Sequence, residues 1–97
     1  MAYDPGAIDA TLAAAVGDEP GLIADLRFAF VGGVDRALAA LIAAETIETW
    51  QAAAWRLKGL AASFGAVRLM ALATEAIAAA PGDRAMIDRL KRATDRL

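Results

Sequence analysis

The sequence predicts an all-α fold: an up-and-down antiparallel four-helix bundle with a short extra N-terminal helix. Three observations carry this. β-Branched residues are sparse, and no stretch alternates with the period of two that a half-buried strand requires. Alanine, leucine, arginine and glutamate dominate, and these are good helix formers. Apolar residues recur at spacings of three and four in four segments separated by short breaks, which makes neighbouring helices antiparallel.

The elements follow in order. A short helix is predicted near Gly6 to Val16, with Asp4-Pro5 as its start signal, because proline is tolerated in a first turn. Gly17-Asp18-Glu19-Pro20 breaks the pattern. The next helix starts near Pro20 and presents Ile23, Leu26, Phe30, Val34, Ala37 and Leu41 as one stripe. Gly32-Gly33 lies inside it and costs about 1 kcal/mol per glycine relative to alanine. Either a kink or close helix crossing, or a true break, accounts for the pair.

A further helix runs from Thr46 or Ile47 to about Phe64, with Trp50, Ala53, Leu57, Leu60 and Phe64 as its apolar seam. Its cap is open to question, since Thr49 stands where a capping box has an acid. Gly65 is a stop signal or a small-residue contact. The following helix carries Leu69, Leu72, Ala73, Ala76 and Ile77 and ends at Ala80-Pro81-Gly82. Asp83 can cap the last helix, which presents Met86, Ile87, Leu90, Thr94 and Leu97.

With 97 residues the chain suits one domain, and 59% apolar residues suit a packed core. The domain is read as spanning residues 1–97, with the bundle core at about 18–97. No apolar run approaches the roughly 18–20 residues of a membrane span. The stretch M-A-Y-D-P-G has no basic n-region, so a cytoplasmic protein with no membrane partner is expected. Cysteine and histidine are both absent. That removes thiolate nucleophiles, the usual zinc sites and the commonest general base, so no enzyme, cofactor or metal site is expected. Residues 1–50 hold eight acids and two bases, and residues 51–97 hold four acids and eight bases. In the second half the bases alternate with acids and apolar residues, as in D-R-L-K-R-A-T-D-R-L, which reads as a solvated helix face rather than a nucleic-acid groove.

One face departs from this plain picture. With Leu57 at the centre of the core side, Trp55 lies about 200° away, pointing outward. Glu48, Gln51 and Ala52 precede it on that face, and Lys58, Gly59 and Ala62 follow it. A mid-helix glycine is destabilising unless something needs the space. Gly59 could admit another helix of the bundle, but at about 200° from Leu57 it points away from the core, so a partner approaching from outside fits better. Trp55 alone could be an ordinary exposed apolar residue and Lys58 an ordinary solvated lysine. Together with Gly59 they form a candidate partner-binding patch, because tryptophan is a frequent interface anchor.

The stretch Ala53-Ala54-Trp55-Arg56-Leu57-Lys58-Gly59, then Ala61-Ala62-Ser63-Phe64-Gly65-Ala66 with Leu69 and Leu72, resembles the histidine-containing phosphotransfer (HPt) domain family. That family's motif runs A-H-x-L-K-G, then small residues, then G-A-x-x-L. Leu26 with Phe30 and the Pro81-Gly82-Asp83 break also fall where the family has similar features, so the resemblance covers about residues 18–97. It implies a four-helix bundle that docks onto the receiver domain of a response regulator. It also implies that Leu57 packs inward, Lys58 is the cation beside the phosphoryl group, Gly59 is the gap for a partner, and Gly65-Ala66 is a tight link. The departure is at Trp55, which occupies the position of the phospho-accepting histidine. The indole N–H only donates, and its nitrogen lone pair belongs to the ring, so it cannot attack a phosphoaspartate. Ser63 and Thr49 could accept phosphate, but their esters would not readily pass it back.

The expectation is therefore a pseudo-HPt module of a two-component phosphorelay, binding a receiver domain or histidine kinase without carrying phosphate. Two alternatives remain: a structural or homodimerising bundle that uses the same face, and a phosphotransfer protein whose histidine has been replaced.

Overall fold

The structure, a computed structural model, describes residues 10, 12, 14, 17 and 19–97. Among them are four helices: α1 (Pro20–Ala43), α2 (Ile47–Ser63), α3 (Val67–Ala78) and α4 (Arg84–Asp95). α1 packs on α2, α2 on α3, α3 on α4, and α4 back on α1, with no diagonal contact of comparable extent among the described residues. Short links at residues 44–46, 64–66 and 79–83 join sequential neighbours, so the arrangement is the predicted four-helix bundle. The expected short N-terminal helix, with its Asp4-Pro5 start, lies outside the described residues except for Ala10, Leu12 and Ala14. These three are helical, and Leu12 is buried.

α1 opens with Pro20 in its first turn, where a missing N–H is no loss. It runs unbroken through Gly32-Gly33. Gly33 is buried, and a Cβ there would stand 3.5 Å from the Leu60 methyls of α2. The pair thus marks a close helix crossing and not a break. Phe30 stacks on Phe64 with ring centroids 4.6 Å apart, which fixes the antiparallel register of α1 and α2.

The start of α2 settles the capping question. The Thr46 hydroxyl accepts from the Thr49 N–H at 3.1 Å, and the Thr49 hydroxyl accepts from the Thr46 N–H at 3.3 Å. A hydroxyl replaces the acid usually found at the third position, because only a second acceptor is needed there. At the other end Gly65 has φ 72°, and the Ala66 and Gly65 N–H groups return to the Ala61 and Ala62 carbonyls at 2.9 and 3.4 Å. This is a Schellman cap, for which the glycine is needed. Pro81-Gly82 forms a tight turn closed by Asp83 N–H to Ala80 O at 3.1 Å, with Gly82 at φ 79°. Asp83 then caps α4 by accepting from the Met86 N–H at 3.0 Å.

Trp50 lies fully buried at the centre, and its Nε1–H donates to the Ala76 carbonyl at 2.7 Å. Leu41, Leu57, Leu69, Leu72 and Leu90 pack in the same core cluster. Among the described residues the core holds no polar or charged side chain. The buried arc of α2 is wider than the predicted seam: Ala54 and Ala61 are buried, while Leu60 and Phe64 are half-buried. The reason is that α2 meets both α1 and α3, and a stripe read against one partner misses the second.

Candidate protein-docking site

Burial on two flanks leaves α2 one open side. Glu48, Gln51, Ala52, Trp55, Gly59 and Ala62 are all exposed, and Lys58 is half-exposed. The predicted face is therefore a single surface along α2. Trp55 is 57% exposed. A Cβ added to Gly59 would meet nothing within 4 Å, so no element of the described bundle occupies the space the glycine leaves. The reading in which Gly59 admits another helix of the bundle is set aside by that open space.

The individual side chains are constrained to different degrees. The Lys58 ammonium stands 4.8 Å from the centroid of the Trp55 ring, a cation–π contact one turn along the helix. It keeps the charge above the indole instead of free in solvent. Gln51 donates from Nε2 to the Ile77 carbonyl at 3.3 Å and so straps α2 to the end of α3. Glu48 sits in the first turn of α2, where a negative charge meets the positive end of the helix dipole. Gln51 and Glu48 thus also serve the bundle itself, and Trp55, Lys58, Gly59 and Ala62 are left as surface without such an internal duty.

Ala52 has a second neighbourhood. It lines a groove of about 630 Å³ between the end of α1 and the start of α2, together with Ala40, Ala43, Ala53, Thr49 and Arg56. Alanines make most of this surface apolar, and Glu45, Thr46, Thr49 and Arg56 are its polar residues. Phe28 on α1, which the sequence reading did not single out, is 82% exposed. Its signal was available, since it lies about 200° from Phe30 on the helical wheel.

Two hydroxyls, those of Thr49 and Ser63, are exposed on α2. Thr49 is engaged in the cap with Thr46. Ser63 is exposed at the last residue of α2 with no base beside it in the sequence, which contains no histidine. Among the described residues no three acidic side chains converge to hold a metal ion, and no helix is long and apolar enough to cross a membrane. No protein-family model matches the chain, nor does any curated protein or any solved structure.

Proposed function

We propose that the chain is a pseudo-phosphotransfer module that docks on a receiver domain or histidine kinase of a two-component phosphorelay and carries no phosphate. The observation that carries the reading is the joint exposure of Trp55, Lys58 and Gly59 on the one open side of α2. These are the positions where the HPt motif has its histidine, its lysine and its gap. The bundle around them is of the kind that motif implies.

The roles divide by chemistry. Trp55 supplies a large rigid anchor at the spot where imidazole would attack phosphorus. Lys58 supplies positive charge for an acidic phospho-acceptor pocket, moving off the indole to do so. Gly59 and Ala62 keep the surface low, so a partner backbone can approach. The contact is small, below about 1,200 Å², and hence transient. Lacking imidazole, the module competes with or scaffolds phosphotransfer.

The test is a pull-down from the native cell with the wild-type chain and Lys58→Glu, followed by calorimetric titration of the captured receiver or kinase. Capture by the wild type alone, and a loss of about 2 kcal/mol or more in Trp55→Ala, are expected. Equal capture by both forms, or unchanged affinity in Trp55→Ala, would remove this face from the site. Acid-labile phosphate on the chain after incubation with a phosphorylated receiver would favour the phosphocarrier alternative instead.

A further inference from the structure

The bases of the C-terminal half, read from sequence as a solvated face, are not evenly spread in the fold. Arg89, Arg92 and Arg96 recur at spacings of three and four and share one face of α4. The packing of α3 against α4 brings Arg68, from the first turn of α3, beside them. These four arginines line a cleft of about 260 Å³, and Ala93 is the one uncharged residue in its wall.

The charge there is poorly neutralised. Arg89 is held by Glu75, with its Nη1 and Nη2 donating to the two carboxylate oxygens at 3.1 Å each. Among the described residues, Arg68, Arg92 and Arg96 form no ion pair, and neither Asp88 nor Asp95 of α4 reaches them. Arg92 lies in the last turn of α4 and Arg96 is its C-cap residue, where the helix dipole favours a cation. That does not explain Arg68. It stands at the positive end of α3, in a first turn with no acid, and Ala66 offers that turn no side-chain cap. Three unpaired guanidinium groups and an uncapped helix start therefore repel one another across a small cleft. An oxyanion with several acceptor oxygens would relieve this, since guanidinium forks match phosphate in geometry as well as charge. Glu75 holds the Arg89 guanidinium in place and engages two of its five N–H donors, leaving the others for a ligand.

We propose that the arginine-lined cleft between α3 and α4 binds a compact phosphate-bearing anion, either free in solution or presented as a phospholipid headgroup. The cleft is smaller than the roughly 300–1,000 Å³ of sites that take drug-sized ligands, which fits one or two phosphoryl groups better than a whole nucleotide. None of its residues lies on α2, so the site stands or falls independently of the docking face.

The full chain is titrated with inorganic pyrophosphate at physiological salt, and in parallel sedimented with vesicles of phosphatidylcholine containing phosphatidylglycerol. Arg68→Gln and Arg92→Gln are compared with Arg56→Gln, a control on α2 that removes the same charge elsewhere. Saturable pyrophosphate binding, weakened at least about tenfold by each cleft variant and hardly at all by Arg56→Gln, is expected of a soluble ligand. Vesicle sedimentation with the same pattern assigns the phosphate to a headgroup. Circular dichroism confirms that each variant is folded. Binding in neither arm, or equal weakening by all three variants, overturns the site, the second result showing bulk charge alone.

Discussion

The ammonium of Lys58 lies 4.8 Å from the centre of the Trp55 ring, and both side chains stand on the open side of α2. A cation–π contact at such a site is worth about 0.5–1 kcal/mol, so it biases Lys58 without locking it. It also places a positive charge beside an exposed fluorophore. Iodide should therefore quench Trp55 efficiently and caesium poorly. Lys58→Glu should reverse that preference, while Trp55→Phe should leave the residual emission of buried Trp50 resistant to both. Quenching that ignores the sign of the ion would show that the two side chains are apart in solution.

Gly59 and Gly33 sit on neighbouring helices but in opposite surroundings. Nothing would meet a Cβ at Gly59 within 4 Å, so Gly59→Ala should stabilise the fold by about 0.5–1 kcal/mol through helix propensity. On the docking reading it should also weaken partner binding, separating stability from function. Gly33→Ala would place its methyl 3.5 Å from Leu60, an ordinary contact, and should be neutral or mildly stabilising. Gly33→Leu overpacks the crossing and should cost about 1–3 kcal/mol. Urea denaturation of the four proteins checks the order, and a destabilised Gly59→Ala would mean that its open space is occupied.

Trp50 couples α2 to α3 through its buried indole and the 2.7 Å bond to Ala76 O. Trp50→Phe keeps most of the apolar volume and loses the bond. The Ala76 carbonyl still accepts from Ala79 N–H, so the expected loss is about 1–2 kcal/mol. Trp50→Ala should cost about 3–5 kcal/mol, which is enough to unfold a marginal domain. Equal stability of Trp50→Phe and the wild type by chemical denaturation would show that the bond contributes nothing net.

The fold was legible because its signals are local. The stop at Gly65, the Pro81-Gly82 turn and the Asp83 cap each depend on one or two residues, and the structure uses each as expected. The direction of Trp55 was legible because helical phase has to hold over only about half a turn from Leu57. What the sequence could not supply was the second neighbour of a helix. Ala54 and Ala61 are buried because α3 lies on the flank opposite α1, and alanine gives no hint of which side it faces. Arg68 joins Arg89, Arg92 and Arg96 only through the packing of α3 on α4, although the stripe on α4 is visible in its spacing. The Thr46–Thr49 cap stayed open in the sequence because a hydroxyl stands in place of the expected acid, which the same geometry accepts.

Gly65 gives the most demanding stability test, because its role is conformational and not one of packing. With φ at 72° it lies in the left-handed region, where a Cβ costs about 1–2 kcal/mol. The Schellman bonds from Gly65 and Ala66 to Ala62 and Ala61 depend on that conformation and set the turn from α2 into α3. Gly65→Ala should therefore lose about 1–2 kcal/mol. Gly65→Asn should lose less, because its short polar side chain tolerates the left-handed region, and Gly65→Val should lose most, because it is β-branched. That order, read from denaturation midpoints at constant m-value, is specific to backbone strain. If Ala and Asn are equally tolerated, the link between α2 and α3 does not require a positive φ in solution.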